Sequence, residues 1–162
     1  MVPGTKQLRP RAANRQKMYD RILVPTDGSS GSRSVIEHAA GLAETHGATL
    51  HGLYVVNTAS YASFSMESTW EGIGDMLRKE GSEALEAVES VVGEHIPVET
   101  QVTEGSPSRR IVRYAEREGC DLIVMGTHGR GGIDRLLLGS VAERVVRSAE
   151  VPVLTVRVGS GD

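Results

Sequence analysis

The sequence has few of the residues that characterise several classes of protein. Cys120 is the single cysteine among 162 residues, which excludes an internal disulfide and a cysteine-rich metal site. Aromatic residues make up only 4% of the chain. Proteins that bind single-stranded nucleic acid usually stack its bases on aromatic side chains, so the composition argues against a nucleic-acid partner. No apolar run approaches the ~20 residues that a membrane-spanning helix needs.

Several ligand-binding motifs are also missing. The chain contains no G-x-x-x-x-G-K-[ST] segment, which excludes a P-loop. A G-x-G start at Gly129 is followed by Asp134 where the dinucleotide fingerprint has its last glycine. Neither H-E-x-x-H nor paired Cys/His spacing occurs, so no metal site made of protein side chains is predicted. No G-x-S-x-G frames a serine nucleophile, and no catalytic residue is assigned.

The remaining composition is that of one ordinary domain, with 39% hydrophobic and 24% charged residues. A domain of this length buries roughly 70% of its unfolded surface. Positions 1–21 hold six of the 18 Lys and Arg residues and one of the 21 Asp and Glu residues, so 12 basic and 20 acidic side chains remain beyond them. We expect residues 1–17 to be a disordered basic leader, residues 18–158 the domain and residues 159–162 a tail. A cytoplasmic setting is expected.

Apolar periodicity predicts strands that alternate with helices. Helical spacing with inward-facing apolar residues defines four helices, at 32–45, 73–93, 107–119 and 140–149. Short apolar or alternating runs define five strands, at 20–25, 48–57, 97–103, 121–125 and 151–158. This order predicts an α/β fold, an open parallel sheet with helices on both faces. Residues 58–70 are predicted to be a long, mobile surface loop. Ser140 and Glu143 are predicted to form a capping box.

Ligands of such sheets bind beyond the carboxyl ends of the strands, where the strand order reverses. Two turns are therefore of interest. The first is Pro25–Ser30, and the second has the sequence GTHGRGGIDRLLLGS, residues 126–140. Its glycines would let a phosphate approach the backbone, and a helix N-terminus favours anions. On these grounds the loop either binds a phosphate or nucleotide or only turns the chain.

The spacing Gly126-x2-Gly129-x9-Gly139-Ser140 resembles the G-2x-G-9x-G-(S/T) motif of the nucleotide-binding branch of the universal stress protein family. Further segments resemble the first strand, fourth strand, last helix and last strand of that family, at 22–29, 121–129, 139–143 and 151–156. The resemblance covers about residues 18–158. It implies a Rossmann-like, adenine nucleotide hydrolase-like sheet of five parallel strands in the order 3-2-1-4-5.

The resemblance also implies a site for ATP or AMP between the first and fourth strands, with Mg²⁺ or Mn²⁺ on the phosphates. The residues next to the adenine and ribose would be Pro25, Thr26, Asp27, Val55, Met125 and Gly126. The residues next to the phosphates would be His128, Gly129, Arg130, Gly139, Ser140 and Val141. Val55 would face the polar edge of adenine with its backbone.

The resemblance further implies a homodimer formed through the last strand, with Val153, Thr155 and Arg157 around the contact. An exposed apolar edge strand favours such pairing. We expect a nucleotide-responsive regulatory or stress-response protein with a downstream protein partner that the sequence does not identify. Two alternatives stay open, a slow ATPase or nucleotide hydrolase and an interaction module that binds no nucleotide. Cys120 is expected to be a packed residue and not a reactive thiol.

Overall fold

Strands and helices alternate through the residues that the computed structural model describes, 17–60, 70–129 and 138–158. The helices are α1 (Ser32–His46), α2 (Trp70–Val92), α3 (Pro107–Glu118) and α4 (Ser140–Ser148). The strands are β1 (Arg21–Thr26), β2 (Thr49–Asn57), β3 (Val98–Gly105), β4 (Leu122–Gly126) and β5 (Val153–Val156). The basic leader, Arg130 and the tail lie outside the described residues, apart from Lys17. No helix in the described part of the chain is long and apolar enough to cross a membrane.

The five strands form one parallel sheet in the order β3-β2-β1-β4-β5, which confirms the predicted fold class. The chain moves outwards from β1 through β2 to β3, then crosses to the other side for β4 and β5. The strand order therefore reverses between β1 and β4. The loops that follow these two strands diverge there and leave room for a ligand.

Two hydrophobic cores lie on opposite faces of the sheet, because successive residues of a strand point to opposite sides. Ile22 and Val24 belong to the core beneath α1 and α2, whereas Leu23 belongs to the core beneath α3 and α4. All three are fully buried. A nearly continuous apolar run is thus required in β1, as in any central parallel strand covered on both faces.

Three details differ from the predictions. Helix α2 begins at Trp70 and not at Ile73, and Thr58–Ser60 form a 3₁₀ turn within the predicted loop, of which residues 61–69 lie outside the description. The predicted capping box is wrong, because the residue before α4 is Gly139 and Ser140 is already helical, one position too late to act as the cap. Strand β5 begins after Pro152, which has no N–H to donate to a ladder.

Candidate functional site

The loops after β1 and β4 border a cavity of about 610 Å³ at the predicted position. This volume is within the range of small-molecule sites. Eleven of the twelve predicted nucleotide-binding residues line the cavity, and the twelfth, Arg130, lies outside the described residues. The eleven are Pro25, Thr26, Asp27, Val55, Met125, Gly126, His128, Gly129, Gly139, Ser140 and Val141.

The turn after β1 is held by its own polar side chains. Thr26 Oγ1 accepts a hydrogen bond from the Gly28 N–H at 3.2 Å, and Gly28 adopts a left-handed conformation with φ 73°. Asp27 Oδ1 accepts hydrogen bonds from the Ser29 N–H at 2.9 Å and from the Ser32 hydroxyl at 3.1 Å. The carboxylate of Asp27 therefore fixes the turn, and its position at the cavity wall follows from that.

The turn after β4 is organised around Thr127, which is 9% exposed. Its N–H donates to the Val156 carbonyl at 2.9 Å, and its carbonyl accepts from the Gly139 N–H at 2.6 Å. Its hydroxyl accepts from the Val158 N–H at 3.3 Å and lies 3.1 Å from His128 Nδ1. The sequence analysis did not single out Thr127, since a threonine beside glycines carries no periodic signal.

Close contacts within the protein leave little room for a side chain at the three motif glycines. A Cβ on Gly129 would lie 2.7 Å from Asp27 Oδ2. A Cβ on Gly126 would lie 2.9 Å from Val158 Cγ2, and one on Gly139 would lie 3.3 Å from the Thr127 carbonyl oxygen. None of the three has a positive φ. Their role is thus to leave space where the two loops and the end of the chain meet.

The backbone carbonyl of Val55 borders the cavity because β2 is longer than β1. The ladder between them ends at the pair Thr26 and Tyr54, whereas β2 continues to Asn57. The Thr49 N–H donates to Asp20 on the β1 side and the Leu50 N–H donates to Pro97 on the β3 side.

Backbone groups of a strand alternate in direction, so Val55 and Asn57 present theirs on the β1 side, as Thr49 does. If the ladder continued, the Val55 carbonyl would accept a hydrogen bond from the Gly28 N–H. That N–H donates to Thr26 Oγ1 instead. The Val55 carbonyl therefore borders the cavity.

The two ends of the cavity differ in character. Apolar side chains that the sequence analysis did not assign to the site, among them Leu53 and Ile111, line the end near β2 and α3. Leu53 lies two residues before Val55 and therefore points to the same face of β2. This spacing could have identified Leu53 as a lining residue from the sequence. At the other end, Ser140 and Val141 occupy the first turn of α4, whose N–H groups have no intrahelical acceptor. Among the described lining residues there is no Lys or Arg.

A buried polar pair lies between β2 and α3. His51 is 1% exposed, and its Nδ1 lies 3.1 Å from the Tyr114 hydroxyl, while its Nε2 has no hydrogen-bond partner among the described residues. Burial lowers the pKa of His51, an effect that Glu99 opposes. Burial also raises the pKa of Tyr114 and that of the Cys120 thiol, each to about 12. Cys120 is 3% exposed, so it is the packed residue that was predicted.

Comparison with known proteins identifies the family. The model of the universal stress protein family matches residues 18–157. The chain therefore belongs to the universal stress protein family.

Two relatives and a more distant structure illustrate the range of similarity. The universal stress protein MJ0531 of Methanocaldococcus jannaschii is 41% identical over 145 residues, which cover 89% of this chain and 85% of that protein. The solved structure of MJ0577, from the same organism, has a TM-score of 0.79 at 29% identity and covers 89% of this chain and 99% of that one.

A universal stress protein solved in complex with cAMP has a TM-score of 0.62 at 24% identity, covering 87% of this chain and 98% of that one. At that identity the likeness concerns the fold.

Proposed function

We propose that this universal stress protein binds an adenine nucleotide, ATP or AMP, in the cavity between the β1 and β4 loops and acts as a nucleotide-responsive regulatory protein. The observation that carries the proposal is the arrangement of the cavity itself. The end of β2 at Val55 and apolar walls lie at one end, and the first turn of α4 with its N–H groups lies at the other. These are complementary to a base and to phosphates, respectively.

The β2 end of the cavity fits adenine. The Val55 carbonyl would accept a hydrogen bond from the adenine amino group, and the Asn57 N–H, on the same edge, would donate to a ring nitrogen. Guanine would place its O6 acceptor against the Val55 carbonyl, leaving a buried acceptor unsatisfied. Leu53, Ile111 and Met125 would pack against the base, with Pro25, Thr26 and Asp27 beside the ribose.

The α4 end fits phosphate groups. The N–H groups of Ser140 and Val141 and the Ser140 hydroxyl would contact phosphate oxygens, aided by the partial positive charge of the helix N-terminus. The Gly139 N–H already donates to Thr127, so Gly139 would contribute by its lack of a side chain. Gly129 and His128 would border the same oxygens. Mg²⁺ or Mn²⁺ would bind the phosphate oxygens, which are the hard ligands that these cations prefer.

Calorimetric titration tests this function. Nucleotide-free protein is titrated with ATP, AMP, adenosine and GTP, with and without Mg²⁺. We expect heats of binding for ATP and AMP and none for GTP. Ser140→Ala should weaken ATP binding about tenfold, the effect of losing one hydrogen bond to a charged group, and should leave adenosine binding unchanged. Ser148→Ala, at the other end of the same helix, is the matched control. Absence of binding by every ligand would refute the proposal. Product analysis of the same mixtures determines whether ATP is cleaved.

The edge strand β5 supports a second part of the proposal, a homodimer. The Ile123 N–H donates to Pro152 and the Thr127 N–H donates to Val156, so even-numbered residues of β5 face β4. Val153 and Thr155 therefore present their backbone groups at the open edge of the sheet, and Arg157 follows with the same parity. Both Val153 and Thr155 are half-buried in the single chain. A second copy pairing along this edge would satisfy their N–H and C=O groups.

A further inference from the structure

Thr127 connects three parts of the chain that are distant in sequence. Its N–H and hydroxyl bind Val156 and Val158, at the end of β5. Its carbonyl binds the Gly139 N–H at 2.6 Å, immediately before α4. The hydroxyl also contacts His128 Nδ1 at 3.1 Å. Thr127 lines the cavity and is 9% exposed.

These bonds determine where the first turn of α4 lies. Gly139 is the N-cap of α4, and its carbonyl accepts the first intrahelical hydrogen bond, from the Glu143 N–H at 2.9 Å. The Gly139 N–H is held by Thr127, so the start of the helix is fixed relative to the end of β4. The N–H groups of Ser140 and Val141, which follow directly, are fixed with it.

The Thr127 hydroxyl contacts residues other than Gly139. It links His128 to Val158, whose side chain packs against Gly31 and Gly126. Removing the hydroxyl leaves the two backbone bonds of Thr127 in place but releases His128 and Val158 from each other. His128, which lines the cavity, would then lose the contact that links it to the end of the described chain.

We infer that Thr127 is a positioning residue: it holds His128 and the start of α4 in the arrangement that receives the phosphate groups of the ligand, without contacting the adenosine part. This role rests on the proposed function. It predicts that loss of the hydroxyl lowers the population of molecules in which His128 is held for phosphate binding. The apparent Kd then rises by the inverse of that population.

The test compares Thr127→Val with Thr127→Ser. Valine keeps the branched shape and lacks the hydroxyl, whereas serine keeps the hydroxyl. We expect Thr127→Val to bind ATP about tenfold more weakly, as for the loss of one or two neutral hydrogen bonds, and to bind adenosine as the wild type does. Thr127→Ser should restore ATP binding to within about threefold. Thr45→Val, which removes an exposed hydroxyl bonded to the Gly41 carbonyl in α1, is the control for the loss of any threonine hydroxyl.

A second readout uses the ligand-free protein. Nitrogen-detected NMR of the His128 imidazole should show a changed Nδ1 shift in Thr127→Val and the wild-type shift in Thr127→Ser, with unchanged far-ultraviolet circular dichroism. Wild-type NMR shifts in Thr127→Val would overturn the inference, whatever the wild type binds. Equal weakening of ATP and adenosine would also overturn it, because the defect would then be general. A changed shift in a protein whose wild type binds no nucleotide would refute the proposed function, and with it the role toward phosphate, while confirming that the Thr127 hydroxyl holds His128.

Discussion

Replacement of Gly129 by alanine tests the contact between the two loops of the cavity. The added Cβ would lie 2.7 Å from Asp27 Oδ2 and 3.7 Å from Asp27 Cγ. The carboxylate has little freedom to move away, since its other oxygen accepts hydrogen bonds from Ser29 and Ser32. Overpacking of this kind costs ~1–3 kcal/mol, and we expect Gly129→Ala to lower the free energy of unfolding by that amount.

A double-mutant cycle separates this contact from other effects of the substitution. Asp27→Ala alone removes two hydrogen bonds within the turn, which are worth about 1 kcal/mol each. It also removes the atom that the new methyl group would meet. The double variant should therefore be about as stable as Asp27→Ala alone, which gives a coupling energy of ~1–3 kcal/mol.

Urea unfolding of nucleotide-free protein, followed by circular dichroism, measures all four stabilities. Gly41→Ala is the matched control, because nothing lies within 4 Å of a Cβ at this exposed position in α1. It should stabilise the protein by ~0.5–1 kcal/mol, as expected for Gly to Ala within a helix. Stabilities of the Asp27 and Gly129 variants that add to within ~0.5 kcal/mol would refute the contact as the reason for glycine at 129.

Three further predictions concern other parts of the molecule. Because the pKa of His51 is lowered from 6.5 in the folded state, the unfolded state binds the proton first as pH falls. The contribution of neutral His51 to the free energy of unfolding should be fully present above pH 6.5 and decline below it, by at most ~1.4 kcal/mol per pH unit. His51→Leu should remove this slope in urea unfolding measured from pH 7.5 to 5. The Cys120 thiol, with its pKa raised to about 12, should react with a thiol reagent at pH 8 only on unfolding; rapid reaction of native protein would contradict this. Thr155→Pro removes an N–H from the open edge of β5 and should convert the proposed dimer to a folded monomer in light scattering, whereas a wild type that is already monomeric would exclude the dimer.

The sequence was sufficient to predict which segments are helices and strands and in what order they follow one another. The buried runs in β1 and β4 and the helical stripe of α2 have no competing local signal, so their assignment was confirmed. Strand order could not be predicted in this way, because periodicity reports which face of a strand is buried and not which strand lies beside it. The order 3-2-1-4-5 came from the family resemblance, and the structure confirms it.

Within the candidate site, motif spacing located the cavity but not the interactions inside it. Ser140 and Glu143 have capping-box spacing, yet the helix begins one residue too late for Ser140 to be the cap. The bonds of Thr127 to Val156, Val158 and Gly139 join residues separated by 12 to 31 positions, and no local pattern reports contacts of that kind. They depend on how β4, β5 and α4 meet, which is a property of the folded chain.

The contacts of the glycines also change what their substitution can reveal. Gly126 packs against Val158, Gly129 against Asp27 and Gly139 against the Thr127 carbonyl, so each is closely surrounded by the protein before any ligand is bound. A bulky residue at 129 would weaken nucleotide binding whether the loop contacts phosphate or only supports the cavity wall. Loss of binding in such a variant therefore does not identify the phosphate contacts. A contrast between ATP and adenosine in a variant that leaves the glycines intact and removes a group proposed to touch phosphate, such as Ser140→Ala, does so, because only the phosphate part of the ligand distinguishes the two titrations.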